Sequence, residues 1–518
     1  MYARVAWPWF ALGWIGLVPW LARLDRTASW RGTLAVALSM CAAFVIGVFG
    51  WFADAIQSYT GLPWGVAFLV LVVMAPLMQP QFVTYAVARR LVRRAGFWPR
   101  AVAGACIYVG TEWAFPKLFA DTIGHGFYAS PLLRQAADLA GAHGLTFILV
   151  LANECALATL AVRRRMLAPA GVVAALVSAL LAYGALRTTQ VRSSAEAGKP
   201  VTAGVVQADL SQYDRLRAAL GTYETVRLIL DTHFALSTQA LQRGGLDVLV
   251  WPETVYPTTF GAPKSEQGAA LDREIGAYVA AAGVPLVFGA YDRDGGSEFN
   301  AAVVLEPATD GRLAFETYRK ATLFPLTERV PSWLESETVR RWFPWLGTWQ
   351  PGRSSAVLPL PLRDGRTLRV APLICYDAVD PGRAIAAVRQ GAELIVTLSN
   401  DSWFAAGGGP QLHLVVAAFR SLETRRPQVR ATNTGISAVI TPTGELLDPL
   451  GVHQRGTLVA SITPERQATT LMLAWGDWFG PTALALGLLW LAATAATAPR
   501  RDGREHRAQR SRASKSTS

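Results

Sequence analysis

A glutamate, a lysine and a cysteine stand at the ends of β-like runs in the second half of this 518-residue chain. Glu253 follows "LDVLVWP", Lys320 closes "FETYRK" and Cys375 closes "LRVAPLI". Strand ends are where α/β folds present reactive groups. A thiol must lose its proton before it attacks a carbonyl, and its ordinary pKa is about 8.5. A carboxylate can take that proton as general base. An ammonium beside them can stabilise the oxyanion that forms. One base, one cation and one nucleophile make a complete acyl-transfer set. Each residue also has a plainer reading: the cysteine as core, the glutamate as a loop or cap residue, the lysine on a solvated face. Spacing along the chain leaves both readings open.

The elements that must position these residues begin near Pro200. From there short β-branched runs alternate with amphipathic stretches, the pattern of a soluble α/β domain. Strands are expected at "VTAGVVQADL", "LDVLVWPE", "VPLVFGAYD", "AAVVLEP", "LRVAPLICYD", "AELIVTLSND", "ISAVITPTGELL" and "GTLVASITP". Helices are expected at 213–242, 266–282, 382–390 and 410–425. The domain is placed at 197–468, long enough to bury a sizeable core.

Around it the chain is far more apolar. Hydrophobic residues make up 52% of the whole and charged ones 17%, too greasy for a wholly soluble protein and too polar for a wholly embedded one. Runs of membrane length are expected at 8–21, 34–52, 65–86, 101–115, 145–162 and 169–186, forming an N-terminal domain over 1–190. A further span occupies 477–498. The loops "ARLDRTASWR", "ARRLVRRAGFWPR" and "RRRM" are basic, whereas "ADAIQSYTGLP" has no Lys or Arg. Placing basic loops in the cytoplasm puts the α/β domain outside and the tail 499–518 inside. That tail carries much of the +12 formal charge and reads as disordered. Its position directly after an apolar run argues for a membrane anchor and against nucleic-acid binding. No cleavable signal peptide is expected. Three of the four cysteines lie in the apolar segments, so Cys375 has no partner in its own domain. The pattern argues against a disulfide framework and offers no zinc spacing.

The words around the three residues are "VWPETVYP", "YRKATLFPLTERVP", "LICYDAVDP" and "LSNDSWF", in that order. Together they resemble the nitrilase, or carbon–nitrogen hydrolase, superfamily. The later "GPQLHLVVAAFRSLETRRPQVRATNTGISAVITPTGELL" and "GDWFGPTALALGLLWLAA" resemble its apolipoprotein N-acyltransferase branch. So do "WPWFALGWIGLVPWLARLDR" and "TEWAFPKLF" near the start. The resemblance implies an αββα sandwich attached to a polytopic helical membrane domain. It implies Glu253 as general base, Lys320 as oxyanion stabiliser, Cys375 as nucleophile and Glu328 as a supporting glutamate, with Tyr376 and Asp377 beside the nucleophile. The implied reaction moves an acyl chain from a phospholipid, through a thioester, to the amine of a diacylated apolipoprotein, with no metal or organic cofactor. The implied place is a bacterial inner membrane, with the catalytic domain in the periplasm. A membrane-tethered hydrolase of amides or nitriles would use the same three residues.

Three departures stand out. The family has a glutamate where this chain has Asp377, one methylene shorter. Its "PFGE" is "PLTE" here, with Thr327 in place of glycine. And it has eight spans, where seven are expected here. Asn400, Asp401 and Trp403 are expected to shape the pocket, with a purely structural turn as the other reading, and Tyr213 to contact substrate. His413 fits the helix pattern and is read as structural. The Pro- and Gly-punctuated stretch "PSWLESETVRRWFPWLGTWQPG" holds Trp333, Trp342, Phe343, Trp345 and Trp349. It is read as a loop that meets the membrane surface and guides acyl chains, with Trp342 and Trp345 as substrate contacts.

Overall fold

Ser29 accepts the N–H of Gly32 and so opens the helix Trp30–Phe49, uncharged beyond Arg31. In this computed structural model, which describes residues 8–161, 167–211, 213–308, 312–404 and 407–497, that helix is one of three long and apolar enough to cross a membrane. The others are Leu133–Leu160 and Ala168–Ser194. The pair Phe52–Thr60 and Trp64–Met78 passes the same test together but bends by 119° at its break. Gly61, with φ of +71°, and Pro63 make that break. The turn needs a residue free of Cβ clashes, and proline cannot extend the preceding helix. These helices make the N-terminal part membrane-embedded.

Several expected spans take a different form. Residues 8–21 become a 3-10 turn, Trp9–Trp14, and a separate helix, Val18–Asp25, interrupted around Gly16 and Pro19. The run 65–86 divides at Gln79–Pro80 into Trp64–Met78 and Gln81–Leu91. "ADAIQSYTGLP" is helical over most of its length rather than a loop. The last membrane helix of the N-terminal part continues to Glu196, well past Leu186. The tail 499–518 and the loop "RRRM" lie outside the described residues.

Beyond it the chain folds into two sheets. The strands are β1 (Val201–Gln207), β2 (Val248–Val250), β3 (Tyr256–Thr259), β4 (Leu286–Asp294), β5 (Ser297–Leu305), β6 (Phe315–Arg319), β7 (Leu358–Pro361), β8 (Thr367–Ile374), β9 (Leu394–Ser399), β10 (Gln428–Thr432), β11 (Ser437–Ile440), β12 (Leu446–Leu450) and β13 (Gly456–Ile462). One sheet runs β13-β1-β2-β4-β5-β6 with β3 beside β4; the other runs β12-β11-β10-β9-β8-β7. Val205, Val287 and Val304 of the first meet Val370, Val396 and Val429 of the second to form the core between them. The helices Thr222–Gln242 and Glu266–Ala282 cover the outer face of the first sheet. Pro381–Arg389 and Gly409–Thr424 cover the second. The result is the expected four-layer αββα sandwich. The single helix expected at 213–242 is two, because Gly221 turns the chain with φ of +85°.

The sandwich is keyed to the membrane helices by Arg425, fully buried at the end of Gly409–Thr424. Its guanidinium donates to Asp138 Oδ2 at 3.0 Å and to the side-chain and backbone oxygens of Gln135 at 2.6 and 2.7 Å. Tyr183 and Arg187 donate to the same Asp138 carboxylate at 2.6 and 2.7 Å.

Candidate active site

β2 passes through Trp251 and Pro252 to Glu253, which is buried. Gly289 on β4 makes room for this turn: a Cβ there would sit 2.6 Å from Glu253 Cα. Three donors converge on the Glu253 carboxylate. Asn300 Nδ2 reaches Oε1 at 2.8 Å, Lys320 Nζ reaches Oε1 at 3.1 Å, and the backbone N–H of Asn400 reaches Oε2 at 3.0 Å. The carboxylate is thereby held in one orientation.

Lys320 follows β6 and is 1% exposed. Its ammonium also donates to Glu328 Oε1 at 2.7 Å, while Glu328 Oε2 accepts the N–H of Phe324. Burial works against a charged lysine, but the Glu253 and Glu328 carboxylates outweigh it and hold the ammonium well above its ordinary range. The lysine is a fixed cation between two anions.

Cys375 ends β8 in the left-handed region, with φ of +47°. A non-glycine residue costs energy there and persists where the surroundings impose it. The same region holds Thr254, Leu326 and Asp401, three more residues bordering this site. Asp377 imposes the turn. Its Oδ2 accepts the N–H of Ile374 at 3.1 Å and the hydroxyl of Tyr318 at 3.0 Å. Its Oδ1 accepts the N–H groups of Ala321 at 3.2 Å and Thr322 at 2.7 Å. The short aspartate is therefore filled to capacity, and it bridges the Cys375 turn to the segment after Lys320. Burial and the neighbouring Glu253 push the Cys375 thiol well above its ordinary range, with Lys320 opposing. At rest the sulfur keeps its proton and needs a base to attack. Tyr376 turns away and donates to the backbone oxygen of Leu118 at 2.9 Å, reaching the membrane part.

Glu253, Lys320, Glu328, Cys375, Asn400 and Trp403 all line one cavity of about 760 Å³. Its far wall was not legible in the sequence: Phe52, Ile56 and Tyr59 of one half of the bent helix pair, and Leu71, Met74 and Met78 of the other. The opposite edge of that second helix, with Val66, Leu69 and Val73, is exposed at helical spacing, as a lipid-facing edge is. Trp345 joins the lining, and its ring centroid lies 6.5 Å from that of Tyr59. Trp342 does not join it and is 74% exposed, as Trp333 is at 81%. Tyr213 is also elsewhere: it begins the helix Tyr213–Leu220 and packs on the helix-covered core of the first sheet. The loose spacing of that segment gave no guide to its direction. Asn300 and Tyr291 are cavity residues the sequence did not mark, being part of ordinary strand words.

Asp401 and His413 lie behind Cys375. Thiol, carboxylate and imidazole come within 4.8 Å of one another, which are the donor types of a metal site. The Asp401 carboxylate is already engaged. Ser399 and His413 Nδ1 face Oδ1, and Arg430 donates to Oδ2 at 3.0 Å. Burial opposes its ionisation, yet His413 and Arg430 hold it down to about 2. The trio is a hydrogen-bonded brace, in which His413 faces the Asp401 carboxylate and the backbone oxygen of Cys375.

The carbon–nitrogen hydrolase family model matches residues 202–470, just over half of the chain. The apolipoprotein N-acyltransferase N-terminal domain matches residues 1–155. A protein named apolipoprotein N-acyltransferase from Chlorobaculum tepidum is 26% identical over 505 residues, covering 88% of this chain and 87% of that one. One of the same name from Gloeobacter violaceus is 28% identical over 516 residues, covering 96% and 92%. Among solved structures, an amidase from Nesterenkonia sp. matches at 20% identity and a TM-score of 0.37, covering 51% of this chain and 91% of that one. The chain belongs to the carbon–nitrogen hydrolase family and carries the apolipoprotein N-acyltransferase N-terminal domain ahead of its sandwich.

Proposed function

We propose that this protein is an apolipoprotein N-acyltransferase, moving an acyl chain from a phospholipid to the α-amine of an S-diacylglyceryl-cysteine at the N-terminus of a lipoprotein. The observation that carries the reading is the shared cavity. An apolar wall of membrane helices faces a buried Glu-Lys-Cys set, which suits a lipid carbonyl delivered from a bilayer. The names of the relatives that match along most of the chain support it.

In the first half-reaction Glu253 takes the Cys375 proton as the sulfur attacks the ester carbonyl. Lys320 stabilises the oxyanion, and Glu328 keeps the ammonium in place. The C–O bond breaks, the proton passes from Glu253 to the departing lysophospholipid oxygen, and the acyl chain remains as a thioester on Cys375. In the second half the acceptor amine attacks the thioester, Glu253 takes the amine proton and returns it to the sulfur, and the amide is released. A thioester suits a two-step transfer because it keeps acyl-transfer potential while the products exchange. No metal or organic cofactor enters these steps. The sandwich stands in the periplasm, and the helices lie in the bacterial inner membrane.

Incubating the protein with labelled phospholipid and a diacylated lipopeptide tests this. Label should appear on the enzyme and then on the lipopeptide, and Cys375→Ala should abolish both. Cys375→Ser should fail as well, since a hydroxyl is far less ionised than a thiol. Release of free fatty acid without transfer to the peptide would identify a hydrolase instead.

A further inference from the structure

A second groove, of about 730 Å³, touches Phe315, Glu316, Thr317, Tyr318 and Arg319 in succession. Consecutive strand residues point to opposite faces. A groove that meets all five therefore runs along the edge of β6, the last strand of its sheet. The ladder fixes which backbone groups look outward. Lys320 N–H donates to Asn300 O at 2.8 Å, and Glu306 N–H to Ala314 O at 2.9 Å. In an antiparallel pair such residues alternate with ones whose N–H and C=O face away. With Ala302 opposite Tyr318 and Val304 opposite Glu316, the outward residues are Phe315, Thr317 and Arg319. Among the described residues, Thr317 has no hydrogen-bond partner on that side.

This edge ends next to the reactive centre. The residue after Arg319 is Lys320, in the apolar cavity. Between groove and cavity stand the Tyr291 and Trp349 rings, with centroids 4.6 Å apart, and a hydrogen bond from Gly352 N–H to Lys320 O at 2.7 Å. The cavity side is apolar. The groove side is polar, with Arg329 and Arg353 making no ion pair among the described residues. An apolar site and a polar strand edge that adjoin match the two halves of a lipopeptide.

We propose that the β6 edge takes the peptide that follows the lipidated cysteine of the acceptor, as an added antiparallel strand with its N-terminus at the Lys320 end. The proposal rests on the acyltransferase reading above. Gly352 packs against the outward carbonyl of Arg319, so the open edge runs from Phe315 to Thr317, about 10 Å, enough for about three residues of the acceptor. Main-chain pairing reads no side chains, so acceptors of different sequence are held alike, and the amine is aimed at the thioester by the strand that carries Lys320.

The test uses the full-length protein, labelled phospholipid and two kinds of acceptor. One is S-diacylglyceryl-cysteine on a five-residue peptide, prepared also with single backbone N-methyl groups at each position. The other is S-diacylglyceryl-cysteine amide, with no peptide. N-methylation at alternate positions should raise KM about fivefold, the worth of one hydrogen bond, and intervening positions should respond little. Thr317→Pro removes an outward N–H while leaving the β5 ladder whole. It should lower the preference for the peptide acceptor over the amide by a similar factor. If that variant does not fold, the N-methyl series decides alone. A flat or non-alternating response overturns the groove, as does a Thr317→Pro variant that changes oligomeric state and nothing else, which would give the edge to a second copy. If wild type acylates the amide but not the peptide, the groove fails and the transferase stands. If it acylates neither, both fall.

Discussion

Asp377 accepts the backbone N–H of Thr322 at 2.7 Å, tying the Cys375 turn to the chain just beyond Lys320. Through this bond, one carboxylate sets the distance between two reactive groups that are 55 residues apart in sequence.

Asp377→Asn should therefore loosen both groups. Every bond to Asp377 comes from a donor, two to each oxygen, and an amide NH₂ would face two of them. We expect a loss of about 1–3 kcal/mol in stability, read by denaturation in detergent, together with slower thioester formation. Unchanged stability would show that the four bonds contribute little.

Alkylation of Cys375 by iodoacetamide should be slow at neutral pH and still rising above pH about 8.5, because burial and Glu253 disfavour the thiolate. Lys320→Met removes the opposing cation and should slow it further. Faster alkylation in this variant would contradict the charge arrangement.

Trp342 and Phe343 are exposed, and Trp345 reaches the cavity. Rings so exposed suit a bilayer headgroup region better than water. Replacing all three with serine should slow thioester formation from phospholipid vesicles severalfold, with little change in thermal stability. Loss of the folded protein would instead make these rings core.

A reporter active only in the periplasm should work when fused after Pro200 and stay silent when fused at Ser518. The reverse pattern would overturn the reading of the basic loops.

The sandwich was legible because its strands are short β-branched runs with turn residues between them, and β8 and β9 lie where those runs fall. The Glu253, Lys320 and Cys375 words pointed to residues that the fold gathers into one cavity. What the sequence hid depends on backbone torsion and on distant partners. Gly221 breaks a helix that periodicity alone continues. β10 falls between the helix expected to end at 425 and the strand expected from Ile436, and its Arg430 is fully buried because Asp401, remote in sequence, receives it. The membrane wall of the cavity was hidden for a similar reason: hydropathy measures how greasy a run is, and says nothing of the bend at Gly61 that turns Tyr59 and Met74 toward the thiol.

The Arg425–Asp138 contact bears on how this enzyme is made in a cell. Its two members are 287 residues apart, one emerging early in translation and the other late. Until the second arrives, Asp138 waits at a helix end with Tyr183 and Arg187 as company. A sandwich produced by itself would lack the Asp138 carboxylate and the Gln135 oxygens that seat this guanidinium. The joint between the two parts is thus completed only when the late-made arginine meets helices already in place.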